Sequence, residues 1–172
     1  MDFEEKVLKA KKGDDNAFYE IVSSEKAILY KMAYSYVKNK DDAVDIVSDT
    51  VYKAYISISK LKEPAFFKSW LIRILINSAI DFIKKSKKVL LLDEKINIVT
   101  AEEDSEYTMD LYSAVDRLDE KCRTTVILKY FQDMTLKQVA EVMECPLGTV
   151  KTYLHRALAS LKLDIASEEE LY

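Results

Sequence analysis

Apolar residues recur at intervals of three and four through much of the N-terminal part. Ala17, Phe18, Ile21, Val22, Ile28, Leu29, Met32, Ala33 and Tyr36 fall on one side of a helical wheel. They predict an amphipathic helix over roughly 14–37. Asn39-Lys40-Asp41 ends it and offers a cap for the next helix. That second helix should bury Val44, Val47, Val51, Ala54, Tyr55 and Ile58. Leu61 to Ala65 then reads as a loop containing Pro64. From Phe66 to about Lys85 a third helix has almost no polar side: Phe66, Phe67, Trp70, Leu71, Ile74, Leu75, Ala79, Ile80 and Ile83. A helix apolar nearly all round belongs in the centre of its domain.

Residues 89–107 break this pattern, being first apolar and then acidic. They read as a link, with room for a short strand or helix. A second periodic block follows with Leu111, Val115 and Leu118, then Cys122, Val126, Ile127 and Tyr130 after a cap at Asp119. Thr135-Leu136-Lys137-Gln138 is a capping box, in which the threonine hydroxyl caps the helix start and Gln138 reaches back. Met134 and Val139 take the staple positions, and Leu136, Val139, Ala140 and Met143 face inward. After the short turn Glu144-Cys145, Pro146 suits the first turn of another helix, where no donor is needed. Val150, Leu154, Ala157, Leu158 and Leu161 form its buried stripe.

Composition narrows the function classes. Among 172 residues there are two glycines and two prolines, whereas ordinary usage would supply about a dozen glycines. Sheet-rich folds need many turns, so a sandwich, a barrel or a doubly wound fold is not expected, and glycine-rich phosphate loops are missing. One histidine, His155, and two cysteines, Cys122 and Cys145, rule out paired-histidine metal sites and zinc fingers. A hydrolase triad would have to use His155, and no GxSxG accompanies it. The expectation is an all-α protein that needs no cofactor and catalyses nothing. The N-terminus is acidic, without a stretch of signal-peptide length, and the two cysteines make no disulfide framework. A reducing cytoplasm is the expected location.

Charge is unevenly placed. Residues 1–88 carry 17 lysines and arginines against 13 acids, residues 89–107 one base against six acids, and residues 108–172 eight bases against 11 acids. Within that last block, 148–162 contains no acid. Lys151, Thr152, His155, Arg156 and Lys162 lie opposite the buried stripe there. Two short helices, a tight turn and a basic outer face on the second helix make a helix-turn-helix pattern. An ordinary helical hairpin with a solvated basic face remains open at this point. Glu144 stands where such turns commonly have glycine; positive φ at that site would cost a non-glycine residue roughly 1 kcal/mol.

The segment LDEKCRTTVILKYFQDMTLKQVAEVMECPLGTVKTYLHRALASLK (118–162) resembles region 4 of the bacterial group IV, or extracytoplasmic-function (ECF), RNA polymerase sigma factors of the sigma-70 family. DDAVDIVSDTVYKAY (41–55) is similar to region 2.2 of that family. FKSWLIRILINSAIDFIKK (67–85) is similar to its promoter-melting and −10-reading regions. Order, spacing and length agree over nearly the whole chain, and within the group it resembles the sigma-V type. The resemblance implies two helical domains, a region 2 at 1–88 and a region 4 at 108–172, joined by a flexible acidic link at 89–107. It also implies the partners: the clamp and flap of core RNA polymerase, promoter DNA, and an anti-sigma factor that is often held at the membrane. It implies no small-molecule substrate.

Roles follow from the same resemblance. Asp42, Asp45 and Asp49 form an acidic stripe that would meet the polymerase clamp; the alternative is a solvated helix face. Ser48 stands where the family usually has glutamine. The loop 61–65, with Lys62, lies where the family reads a flipped −10 base, and Arg73 and Asn77 match family residues near the melted strand. Trp70 matches a family aromatic but reads better as core packing, and Ile72 replaces a frequent tyrosine. Lys84, Lys85, Lys87 and Lys88 would meet backbone phosphates, or else are a solvated helix end. Thr149, Lys151, Thr152, His155 and Arg156 would read the −35 element. The competing function class is a helix-turn-helix regulator that binds operators without polymerase; it leaves the matches at 41–55 and 67–85 unexplained. A helical enzyme is the third class.

Overall fold

The computed structural model describes residues 2–92 and 106–169, and within these every element is helical. The chain divides into two compact units, Met1–Asn97 and Ile98–Tyr172.

The first unit holds α1 (Phe3–Lys11), α2 (Asp15–Val37), α3 (Lys40–Ser57) and α4 (Phe67–Leu92), with short 3-10 turns at Ile58–Lys60 and Pro64–Phe66. Local chemistry sets the starts. Asp2 and Glu5 form a capping box on α1, and the Asp14 carboxylate accepts from the Ala17 amide at 3.0 Å. The Asn39 side chain accepts from the Asp42 amide at 3.0 Å, the cap expected from the sequence. Lys38, at φ 53, makes the left-handed C-cap of α2.

Helix α2 packs on α1, α3 and α4, and α3 also packs on α4. Leu29, Met32, Phe67, Leu71 and Leu75 are fully buried among them. Each such side chain contributes about 1.5–3 kcal/mol by leaving water. Glu25, 6% exposed, lies at the edge of this core and meets the exposed Lys68 at 2.8 Å.

The observed burial corrects the expected stripe of α3. Ala54 and Ile58 are buried as expected, but Val44 and Tyr55 are exposed, and Ala43, Ile46 and Thr50 face the core instead. Small residues there let three helices approach closely. Thr50 is satisfied by donating to the Ile46 carbonyl at 2.7 Å. Ile28 and Phe66 are also exposed rather than buried, whereas Leu61 of the expected loop is buried. Helix α4 begins at Phe67 and runs to Leu92, past the expected end near Lys85 and four residues into the expected link. The expectations for residues 93–105 lie outside the described residues.

The second unit holds α5 (Glu106–Arg117), α6 (Glu120–Val126), a π-helical turn (Ile127–Phe131), α7 (Leu136–Met143) and α8 (Leu147–Glu169). Helix α8 packs on α5, α6 and α7. Ala114, Val115, Cys122, Val126, Ala157 and Leu161 form one buried cluster. The π turn shifts the helical phase after Val126, so Ile127 and Leu128 are buried and Tyr130 is exposed, contrary to a continuous 3.6 period. Leu111 and Leu158 are likewise exposed rather than buried.

Candidate nucleic-acid interface

The helix-turn-helix is built from the residues singled out by sequence. The Thr135 hydroxyl accepts from the Gln138 amide at 3.2 Å, and the Gln138 side chain accepts from the Thr135 amide at 2.8 Å. Val139 and Val142 bury against the unit. At the end of α7, Glu144 takes φ 50 and ψ 44, a left-handed conformation that disfavours a side chain. The amide of Cys145 then donates to the Ala140 carbonyl at 3.1 Å. Pro146 accepts from the Thr149 and Val150 amides at 2.9 and 3.2 Å, so it stands one position ahead of the first helical residue, Leu147.

On α8, Val150, Ala157 and Leu161 are buried. Lys151, Thr152, His155 and Arg156 are exposed together on the other side, and Thr149 is half-buried at the start. The Thr152 hydroxyl donates to the Gly148 carbonyl at 3.0 Å. Arg156 lies 3.4 Å from Asp119, the N-cap of α6. Asp119 is held below the usual carboxylate range, first by the Cys122 amide, with further help from the Arg156 charge and the Lys121 amide. Cys122 is buried, and desolvation, with Asp119 beside it, pushes its thiol up to about 11. Cys145 is half-buried in the turn and free.

In the first unit, the exposed face of α4 carries Asn77, Lys84, Lys85, Lys87 and Lys88, with Arg73 half-buried one turn before Asn77. Asn77 is thus a surface amide and not a satisfied core group. Its neighbour Ser78 is 3% exposed, and the Ser78 hydroxyl accepts from Lys53 on α3 at 3.0 Å. Ile72 is 6% exposed, so it fills the core and offers no stacking surface. Trp70 is half-buried with its ring 5.9 Å from that of Phe67, as packing requires. Lys62 is exposed between the two 3-10 turns.

The acidic stripe on α3 is not uniform. Asp45 and Asp49 are exposed and Asp42 is half-buried. Partial burial, then the like charges of Asp45 and Asp41, raise Asp42 above the usual carboxylate range. Partial burial opposes ionisation of Asp49 too, but hydrogen bonds from Lys53 and Ser78 and the charges of Lys53 and Lys85 outweigh it and hold Asp49 low. The Asp49–Lys53 pair measures 2.7 Å. Beside this stripe, Ser23, Lys26, Ala27, Tyr30, Val44 and Val47 line a mainly apolar groove of about 570 Å³ between α2 and α3. Sequence reasoning missed Lys53, the groove and the whole of α1. Exposed Val44 is the signal for the groove, since it shows that α3 carries two overlapping apolar stripes.

Comparison with known proteins places these faces in a family. Residues 21–89 match sigma-70 region 2, and residues 108–161 match sigma-70 region 4. The RNA polymerase sigma factor SigV of Bacillus subtilis is 37% identical over 150 residues, covering 86% of this chain and 90% of its own length. The ECF RNA polymerase sigma factor SigW of the same organism is 30% identical over 179 residues, covering 94% and 96%. Two solved structures share the fold. CnrH, in complex with the cytosolic domain of CnrY, has a TM-score of 0.70 at 21% identity and covers 95% of this chain and 97% of its own. Bartonella quintana RpoE, in complex with the anti-sigma factor NepR, has a TM-score of 0.67 at 23% identity and covers 87% and 96%. With both regions present in order and two relatives at 30% identity or more along nearly their whole length, the chain belongs to the ECF group of the sigma-70 family of RNA polymerase sigma factors.

Proposed function

We propose that the two units divide promoter recognition between them. As an ECF sigma factor the chain binds core RNA polymerase and directs promoter-specific initiation. Residues 108–172, within the second unit, take the −35 element, with α8 in the major groove. Thr149, Lys151, Thr152, His155 and Arg156 meet base edges and phosphates there. Residues 1–88, within the first unit, take polymerase and the −10 element. Asp42, Asp45 and Asp49, with the groove beside them, meet a basic clamp surface. Arg73, Asn77 and Lys62 hold melted DNA, and Lys84 and Lys85 meet its backbone. Residues 89–107 join these two regions. The chain contributes binding and no chemistry. An anti-sigma protein, the partner type seen with the related folds, keeps it from polymerase until released, and anchoring of that protein would hold the factor at the membrane. Among the described residues no helix is long and apolar enough to cross a membrane.

The observation that carries this reading is the acid-free stretch 148–162 of α8, with Lys151, Thr152, His155 and Arg156 exposed, behind a capped α7 and a left-handed turn. The test is reconstituted transcription from a promoter library with core polymerase. Sequence-selective initiation that depends on the chain is expected. Operator binding by the chain without polymerase, and no initiation with it, would instead support the regulator class.

A further inference from the structure

Helix α1 stands outside the region 2 match, which begins at residue 21. It is nevertheless built into the unit, with Val7 fully buried and Ala10 4% exposed. Besides its packing on α2, where Lys6 pairs with Glu20 at 2.6 Å, it touches the segment 58–68. Near its N-terminal end, the Phe3 ring meets the Phe67 ring edge-on at 5.8 Å. Phe67 is fully buried and follows directly on the 3-10 turn Pro64–Phe66. The Lys68 ammonium stands 5.3 Å over the Phe3 ring and 2.8 Å from the buried Glu25 carboxylate of α2. Near the C-terminal end of α1, Lys11 Nζ donates to the Lys62 carbonyl at 3.4 Å. Helix α1 also packs against both 3-10 turns. The segment 61–66 has local backbone bonds, Leu61 to the Ile58 carbonyl and Phe66 to the Glu63 carbonyl, both 3.1 Å. Bonds of that range shape turns without fixing where the segment lies on the unit.

We infer that α1 is a positioning element for segment 61–66: through Phe3 at one end and Lys11 at the other, it sets the geometry with which that segment meets the −10 element, and so tunes base selectivity there. The inference rests on the reading of 61–65 as the segment that captures a flipped base. Pockets for flipped bases read hydrogen-bonding edges and stacking faces, so a small displacement changes which base fits best. A helix that merely added stability would act differently. Losing it would lower the active fraction and scale every promoter alike.

That difference decides the experiment. The full chain and its variants are assembled with core polymerase on a promoter set substituted at each −10 position. The readout is the ratio of initiation on the preferred base to initiation on each substitute. Phe3→Ala and Lys11→Met should each shrink that ratio by roughly threefold or more, with Phe3→Tyr and Lys11→Arg restoring it. A uniform fall in transcription with the ratio kept within about twofold would overturn the inference. If Phe3→Ala lowers the helical content, the Lys11→Met result decides, because that change removes one weak contact of a solvent-reaching chain. The pair Lys62→Ala, Glu63→Ala checks the underlying reading. An unchanged ratio in that pair shows that the segment does not read the −10 base, whereas a changed ratio there with wild-type ratios in the α1 variants condemns the role of α1 alone.

Discussion

Arg156 and Asp119 join the recognition helix to the start of α6. One oxygen of the Asp119 carboxylate faces the Arg156 guanidinium at 3.4 Å, and the other accepts from the Lys121 and Cys122 amides at 3.1 Å each. One side chain thus caps a helix and holds a candidate DNA-contacting arginine. The pair itself is exposed and adds little stability, but the cap is worth about 1 kcal/mol.

Asp119→Ala should therefore lower the stability of the second unit by about 1 kcal/mol in denaturant unfolding followed by circular dichroism. The sign with pH follows from the depressed titration of Asp119. Its stabilising contribution is present above the unfolded value of about 4 and is lost as pH falls through the lower folded value. Wild type and variant should differ at neutral pH and converge in acid. A gap that persists at low pH would show that the carboxylate charge is not the source.

Glu144→Gly should raise stability by about 0.5–1 kcal/mol, because glycine occupies the left-handed region without the cost borne by a side chain at φ 50. Promoter binding by the holoenzyme should stay unchanged. A loss of stability in equilibrium unfolding would mean that the contacts of the glutamate outweigh the backbone cost.

Asp45→Lys combined with Asp49→Lys should weaken association with core polymerase while the helical signal persists. Each rim charge is worth about 1 kcal/mol, which makes the pair the sensible test. Asp49→Lys should also release Lys53, its partner at 2.7 Å, and so cost more than Asp45→Lys in unfolding experiments. Unchanged affinity of the double variant, measured by fluorescence anisotropy, excludes this face as the clamp contact.

Lys151→Ala and Arg156→Ala should each reduce holoenzyme binding to promoter DNA. A base-reading contact costs about 1–3 kcal/mol and relaxes preference at one position. A phosphate contact instead lowers the salt slope by about one unit. Normal transcription by both variants would place the recognition surface elsewhere.

Asn77→Ala should leave folding and polymerase binding intact, since the amide is on the surface. It should slow promoter opening, read as permanganate reactivity of −10 thymines. A pre-melted bubble should restore much of the loss. Equal reactivity on duplex promoter would remove Asn77 from the melting site.

The sequence carried the second unit further than the first. Thr135, Gln138, Asp119 and Asn39 act locally, through caps that need no knowledge of the tertiary fold, and all four cap as expected. The register of α3 was not legible. Val44, Val47 and Val51 compete with Ala43, Ile46 and Thr50 as apolar stripes, and side-chain size favours the valines. Packing of α3 against two helices favours the smaller set. The π turn is equally hidden, because an inserted phase shift leaves no compositional mark. Helix α1 escaped notice because Phe3, Val7 and Ala10 are a thin stripe among charged neighbours, and what holds them lies far along the chain at Phe67 and Lys62. The surface positions of Lys151, Thr152, His155 and Arg156 followed directly from the helical period; what they touch in DNA depends on a partner that periodicity does not describe.

The two thiols differ enough to be told apart chemically. With its thiol pushed up to about 11 and its sulfur enclosed, Cys122 stays protonated at neutral pH and reacts slowly. Cys145 sits half-open between α7 and α8. A maleimide dye or nitroxide added to the unaltered chain should therefore load at the turn leading into the recognition helix. The molecule thus carries its own attachment point for spectroscopy, placed where entry into the major groove would change the signal.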